Sequence, residues 1–132
     1  MYNLNNADME NLISQINKEF LVSSETALMM KELYYYAPCK YWYDKLDRLR
    51  HDTEGRNTPM YMCECPTLAE CIQWIVQTYE WTFHAEWNGN VCDVIVKGNG
   101  YVLYDSKSNA DACCCLEEAL EKAVQESMEF LY

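Results

Sequence analysis

Three short segments joined by two glycine turns, WTFHAEW-NGN-VCDVIVK-GNG-YVLYDS over residues 81–106, constrain this chain more than any other feature in it. Their β-branched and aromatic content and alternating pattern are those of strands. Trp81, Phe83, Ala85 and Trp87 point one way, and Thr82, His84 and Glu86 the other. Links this short leave no room for a crossover, so the strands must pair antiparallel as a meander, with VCDVIV in the centre.

Helical patterns flank the meander. PTLAECIQWIVQTY places Leu68, Ile72, Ile75 and Tyr79 on one face, and Thr67 with Glu70 forms a capping box at its start. A long helix from about residue 110 closes the chain. On its stripe lie Cys113, Leu116, Leu120, Val124, Ser127 and Leu131. Upstream, an extra N-terminal helix over residues 5–20 carries Met9, Leu12, Ile13, Ile16 and Phe20 on one face, with Asp8 as its cap. SSETALMMKELYYY is a further helix, capped by Ser23 and ended before Pro38. CKYWYD reads as a strand with Cys39, Tyr41 and Tyr43 opposite Lys40, Trp42 and Asp44, and MYMCEC as another. Residues 45–59, charged and holding Gly55 and Pro59, read as a mobile excursion or loose hairpin. The expected architecture is a single α+β domain spanning 1–132. In it an antiparallel meander sheet of three to five strands packs against a capped central helix, a long C-terminal helix and the N-terminal helices.

With 10 Lys/Arg against 21 Asp/Glu the net charge is −11, and it is uneven. Residues 1–66 carry 7 basic and 10 acidic side chains, net −3, whereas residues 67–132 carry 3 and 11, net −8. Such a surface repels nucleic acid and anionic lipid, which argues against direct nucleic-acid or membrane partners. No signal peptide and no membrane-length apolar run is visible, so a cytoplasmic location is expected. There thiols stay reduced, and the 8 cysteines do not imply disulfides.

The run Cys113, Cys114, Cys115 cannot converge on one ion from a helix, where neighbours are about 100° apart. Cys113 falls on the core stripe, Cys114 on the side of Glu117, Glu118, Glu121 and Gln125, and Cys115 at the edge. Negative neighbours oppose a reactive thiolate at Cys114. Cys63 and Cys65 form C-x-C with Cys71 six residues on. Structural zinc sites use two C-x₂₋₄-C or H-x₃₋₅-H pairs, and neither occurs here. These three are therefore weak metal candidates beside the plainer reading of small core thiols. No phosphate loop, nucleophile elbow or H-E-x-x-H motif is present, and no cofactor or catalytic residue is assigned. Trp42 shares its expected face with Lys40 and Asp44, which makes it a candidate exposed aromatic at a partner surface.

SSETALMMKELYYYAPCKYWYD, CPTLAECIQWIVQTYEWTFHAEW and CLEEALEKAVQESMEFL, taken together, resemble a family of small uncharacterised proteins encoded by phages and prophages of gut anaerobes. The resemblance runs over roughly residues 21–131. It rests on Glu25, Thr26, Ala27, Lys31, Cys39, Tyr43, Pro66, Thr67, Trp74, Glu118, Ala119, Leu120 and Glu121. It implies caps, core positions and helix faces for these, and no activity. The cysteines around 63–71 and 113–115 and the helix at 5–20 depart from that pattern.

The expected function is that of a non-enzymatic phage-type accessory protein that binds a host or phage protein through an acidic face, with homodimerisation as a further use of an open sheet face. Glu117, Glu118, Glu121, Glu126 and Glu129 are the candidate surface, and a phosphate-mimicking row is its sharpest form. A cysteine-dependent metal module on Cys63, Cys65 and Cys71, or an enzyme without a recognisable motif, are the alternatives.

Overall fold

Among the described residues, six strands divide between two antiparallel sheets. A computed structural model describes residues 3–131. The elements in order are α1 (Asn3–Gln15), α2 (Ser24–Glu32), β1 (Tyr41–Asp44), β2 (Leu49–His51), β3 (Tyr61–Cys65), α3 (Leu68–Tyr79), β4 (Thr82–Asn88), β5 (Val91–Gly98), β6 (Tyr101–Asp105) and α4 (Leu116–Met128), with a final 3₁₀ turn at Glu129–Leu131. The protein is α+β. No helix among the described residues is long and apolar enough to cross a membrane.

Two compact units result. A flanking unit combines the chain up to Phe20 with the chain from Leu68 onward, and Leu21–Thr67 forms an inserted unit.

The flanking unit is the meander with helices α1, α3 and α4. β5 is its central strand, in the order β4-β5-β6. Cys92, Val94 and Val96 of β5 are buried, as are Phe83 and Tyr104 on its neighbours. Leu68, Cys71, Ile72 and Ile75 of α3 and Ala119, Leu120, Ala123, Val124 and Met128 of α4 complete the core. Burying each large aliphatic side chain contributes about 1.5–3 kcal/mol. α1 adds Met9, Leu12 and Ile16, and the Met9 sulfur accepts the Phe83 N–H at 3.3 Å. This helix starts upstream of Asp8 and stops at Gln15. Asn17 ends it, because its Oδ1 takes the Glu19 N–H at 2.9 Å and turns the chain. Phe20 therefore lies outside the helix that the spacing assigned it to.

α4 also begins later than its sequence pattern predicts, at Leu116 and not near residue 110. Backbone bonding to β5 competes with the helix and wins. Ser106 N–H bonds Val94 O, and the Ser106 Oγ takes the Val94 N–H. The Cys92 N–H reaches Cys113 O at 2.8 Å. Ser106 and Cys113 thus bond β5 at either end of a turn over residues 106–110, and the three cysteines precede the helix. Cys115 is its N-cap.

The inserted unit places α2 against a sheet ordered β2-β1-β3. Ser23 caps α2, its Oγ accepting the Thr26 N–H, as its sequence predicts. α2 ends in a Schellman turn: Tyr35 N–H bonds Met30 O, and Tyr34 N–H bonds Lys31 O. Tyr34 occupies the left-handed position at φ 69° and is 78% exposed.

Candidate functional site

The acidic residues of α4 do not form a uniform row. At about 100° per residue, Glu117 and Glu126 lie on opposite flanks of the helix, roughly 180° apart. Glu117 is engaged by its own unit: its carboxylate accepts the Asn17 N–H at 2.8 Å and the Cys115 thiol at 3.3 Å. Burial works against its ionisation, but these bonds prevail and hold its carboxyl below the usual range. Glu126 pairs with Lys122 at 3.5 Å, an exposed i,i+4 pair of small energetic consequence. Glu118 and Glu129 are exposed and Glu121 half-buried. A phosphate-like ladder of five equivalent charges is thus replaced by two regions, and one of them borders a cleft.

That region lies between β6 and the end of α4, wholly within the flanking unit. An open cleft of about 340 Å³ is lined by Leu103, Tyr104, Asn109, Glu126, Glu129 and Phe130. Its floor comes from an irregularity in the sheet. Val96 pairs with Tyr104 and Lys97 with Val102, which leaves Leu103 as an extra residue in β6. Consecutive strand residues normally face opposite sides, and a bulge re-aims one of them. Leu103 and Tyr104, adjacent in sequence, both line the cleft. Gly98 lets the surroundings close: a Cβ there would sit 2.6 Å from Trp81 Nε1 and 3.0 Å from Leu103 Cδ1. The Tyr104 hydroxyl donates to Asp111 Oδ2 at 2.7 Å. Burial and this carboxylate together raise its pKa, so it stays a neutral donor. Phe130, which lines the cleft, is 65% exposed, and Tyr101 and Val102, elsewhere on β6, are 73% and 56% exposed. Of the expected surface residues the cleft gathers Glu126 and Glu129. Leu103, Tyr104, Asn109 and Phe130 were missed, because the unbroken apolar run Tyr101–Tyr104 hides the bulge that re-aims Leu103.

The metal candidates are divided between the two units. Cys63 and Cys65 lie on β3 of the inserted unit, and Cys71 lies on α3 of the flanking unit. Among the described residues no group of three or more His, Cys, Asp or Glu side chains is arranged to hold a metal ion. All three thiols are buried. Burial pushes Cys63 up to about 11, and the Cys65 thiol donates to Val22 O at 3.5 Å. Protonated thiols of this kind are packing groups and poor ligands. Burial likewise raises Cys92 and Cys113, aided by Asp93 and Glu118 respectively.

Trp42 is not a surface residue. It is 2% exposed, donates its indole N–H to His51 O at 3.1 Å and packs on the Tyr61 ring at 5.6 Å. The face it shares with Asp44 is covered by contacts with residues 45–59. They form the β1–β2 hairpin, with Tyr43 opposite Leu49, and then a loop held down by Arg56. Asp44, fully buried, accepts the Leu46 and Arg48 N–H groups and the Nε of Arg48 and Arg50. Arg56 bonds both oxygens of Glu64 and also Cys39 O. Polar residues on this strand face thus reflect an internal ion network, which is why the alternation pointed the wrong way.

Comparison with protein-family models, curated proteins and solved structures finds no match to this chain.

Proposed function

We propose that this chain is a non-enzymatic binding protein of phage type, resembling the small uncharacterised phage and prophage proteins named above, whose flanking unit docks a basic protein. One observation carries the reading: the charge is segregated. The flanking unit holds 4 Lys/Arg and 14 Asp/Glu, net −10, whereas the inserted unit holds 6 and 7, net −1. A field of one sign on one unit steers an oppositely charged partner and disfavours like-charged ones. The α4 carboxylates offered to it are those of Glu118, Glu121, Glu126 and Glu129.

Affinity capture from a gut-anaerobe lysate tests this, with the native chain run beside a variant carrying glutamine at those four positions. The native chain should enrich a basic protein that is lost both at high salt and with the variant. Identical capture by the two proteins sinks the reading.

A further inference from the structure

The exposed edge of β6 is unusual. Edge strands are ordinarily blunted by Lys, Pro or a covering element, because their free N–H and C=O groups recruit other strands. β6 reads Tyr-Val-Leu-Tyr-Asp, with neither Lys nor Pro, and Tyr101 and Val102 stand open on it. In antiparallel pairing alternate residues direct their backbone groups away from the partner strand. The Ser106 N–H bonds Val94 O, so the N–H of the preceding Asp105 faces away from β5, while the Asp105 carbonyl accepts the Asn109 N–H at 3.1 Å. Directly alongside runs the cleft, with an apolar floor of Leu103, Tyr104 and Phe130 and the carboxylates of Glu126 and Glu129 at its wall. A groove between a sheet edge and a helix is a geometry in which extended peptides add a strand.

We propose that the cleft between β6 and the end of α4 receives an extended basic segment of a partner protein, which adds to the β6 edge and lays one Lys or Arg side chain along Leu103, Tyr104 and Phe130 with its charged head at Glu126 and Glu129. The inference rests on the basic-partner reading above and names its site. The chemistry selects the occupant. A Lys or Arg stem is apolar and its head cationic, which matches a floor of apolar and aromatic surface ending in two carboxylates. Glu129 forms no ion pair among the described residues, and the exposed Lys122–Glu126 pair is weak enough to exchange its cation for the ligand's. A second copy of this chain is the wrong occupant. It would bring another flanking unit of net −10 onto the same carboxylates.

Titration of the ¹⁵N-labelled full chain with an end-blocked octapeptide of alternating lysine and valine tests the proposal. Octalysine and an alternate-residue N-methylated version of the first peptide are the comparisons. The alternating peptide should shift the Leu103, Asp105 and Phe130 amides. N-methylation, which removes the strand-forming N–H groups without touching the protein, should weaken binding at least tenfold. Glu129→Gln and Glu126→Gln, both surface changes, should each weaken it several-fold at low salt. Equal binding of the N-methylated peptide, or shifts confined to other residues, overturns the strand-addition site while the basic-partner reading survives. Failure of both basic peptides to bind overturns both. Self-association of the chain that Val102→Lys abolishes overturns it in favour of a second copy.

Discussion

At the scale of single residues, Asp44 shows how a buried charge is kept. Burial opposes its ionisation, but the backbone N–H groups of Arg48 and Leu46 and the guanidinium groups of Arg50 and Arg48 outweigh that and lower its pKa to about 2. A carboxylate whose folded pKa lies below its unfolded value of 3.8 stabilises the fold fully above that unfolded value, and the contribution fades as pH falls through about 2. The inserted unit should therefore lose stability between about pH 4 and pH 2. The Trp42 indole N–H resonance, held by His51 O, reports it. Asp44→Asn should destabilise the unit at neutral pH and flatten this acid dependence. An unchanged acid profile in the variant would show that other carboxylates dominate. None of this was readable from CKYWYD, because alternation marks Asp44 as solvent-facing. Its partners Arg48 and Arg50 sit in a stretch whose charge suggested mobility. Glu64 and Arg56 repeat the arrangement on β3, where burial is again outweighed, by Arg56, the Cys39 N–H and Tyr61.

At the scale of elements, periodicity located α2, α3 and all three meander strands, since each buries a face whose spacing follows its own geometry. It failed at ends, where tertiary bonds decide. The start of α4 is the clearest case. Apolar spacing from Cys113 onward fits a helix, yet the Cys92 N–H needs Cys113 O, and a helical Cys113 could not supply it there. The cost falls on the cap. Cys115 has extended N-cap geometry, φ −128° and ψ 132°, but makes no side-chain capping bond. Serine is among the best N-caps, and such a bond contributes about 0.5–2 kcal/mol. Cys115→Ser should therefore stabilise the flanking unit by about 1 kcal/mol in urea unfolding. A neutral or destabilising result would mean that the thiol's contact with Glu117 Oε1 matters more than the cap.

At the scale of the whole molecule, the division into two units was not legible in the sequence. No Gly- or Pro-rich linker marks Phe20 or Leu68, and the helix pattern of PTLAECIQWIVQTY runs straight across the second boundary. The joint is a backbone hydrogen bond: Leu68 N–H donates to Phe20 O at 2.9 Å, so the flanking unit's chain ends meet where the insertion leaves and returns. Replacing residues 21–67 with a short Gly-Ser turn should leave a folded flanking unit whose β4, β5 and β6 amide resonances keep their positions. A collapsed, poorly dispersed spectrum would show that the inserted unit is required for that fold. The cleft lies wholly on the flanking side, so the same excision should spare peptide binding.

The inserted arrangement also sets an order of events on the ribosome. Residues 21–67 are contiguous and can fold as they emerge, but α1 cannot. Met9 finds Phe83 only 74 residues later, which at about 5–20 residues per second is a wait of roughly 4–15 s. For that interval Met9, Leu12 and Ile16 have no core to enter. α1 is made well before the strands it packs against, and the nascent chain carries its apolar face uncovered until the meander arrives.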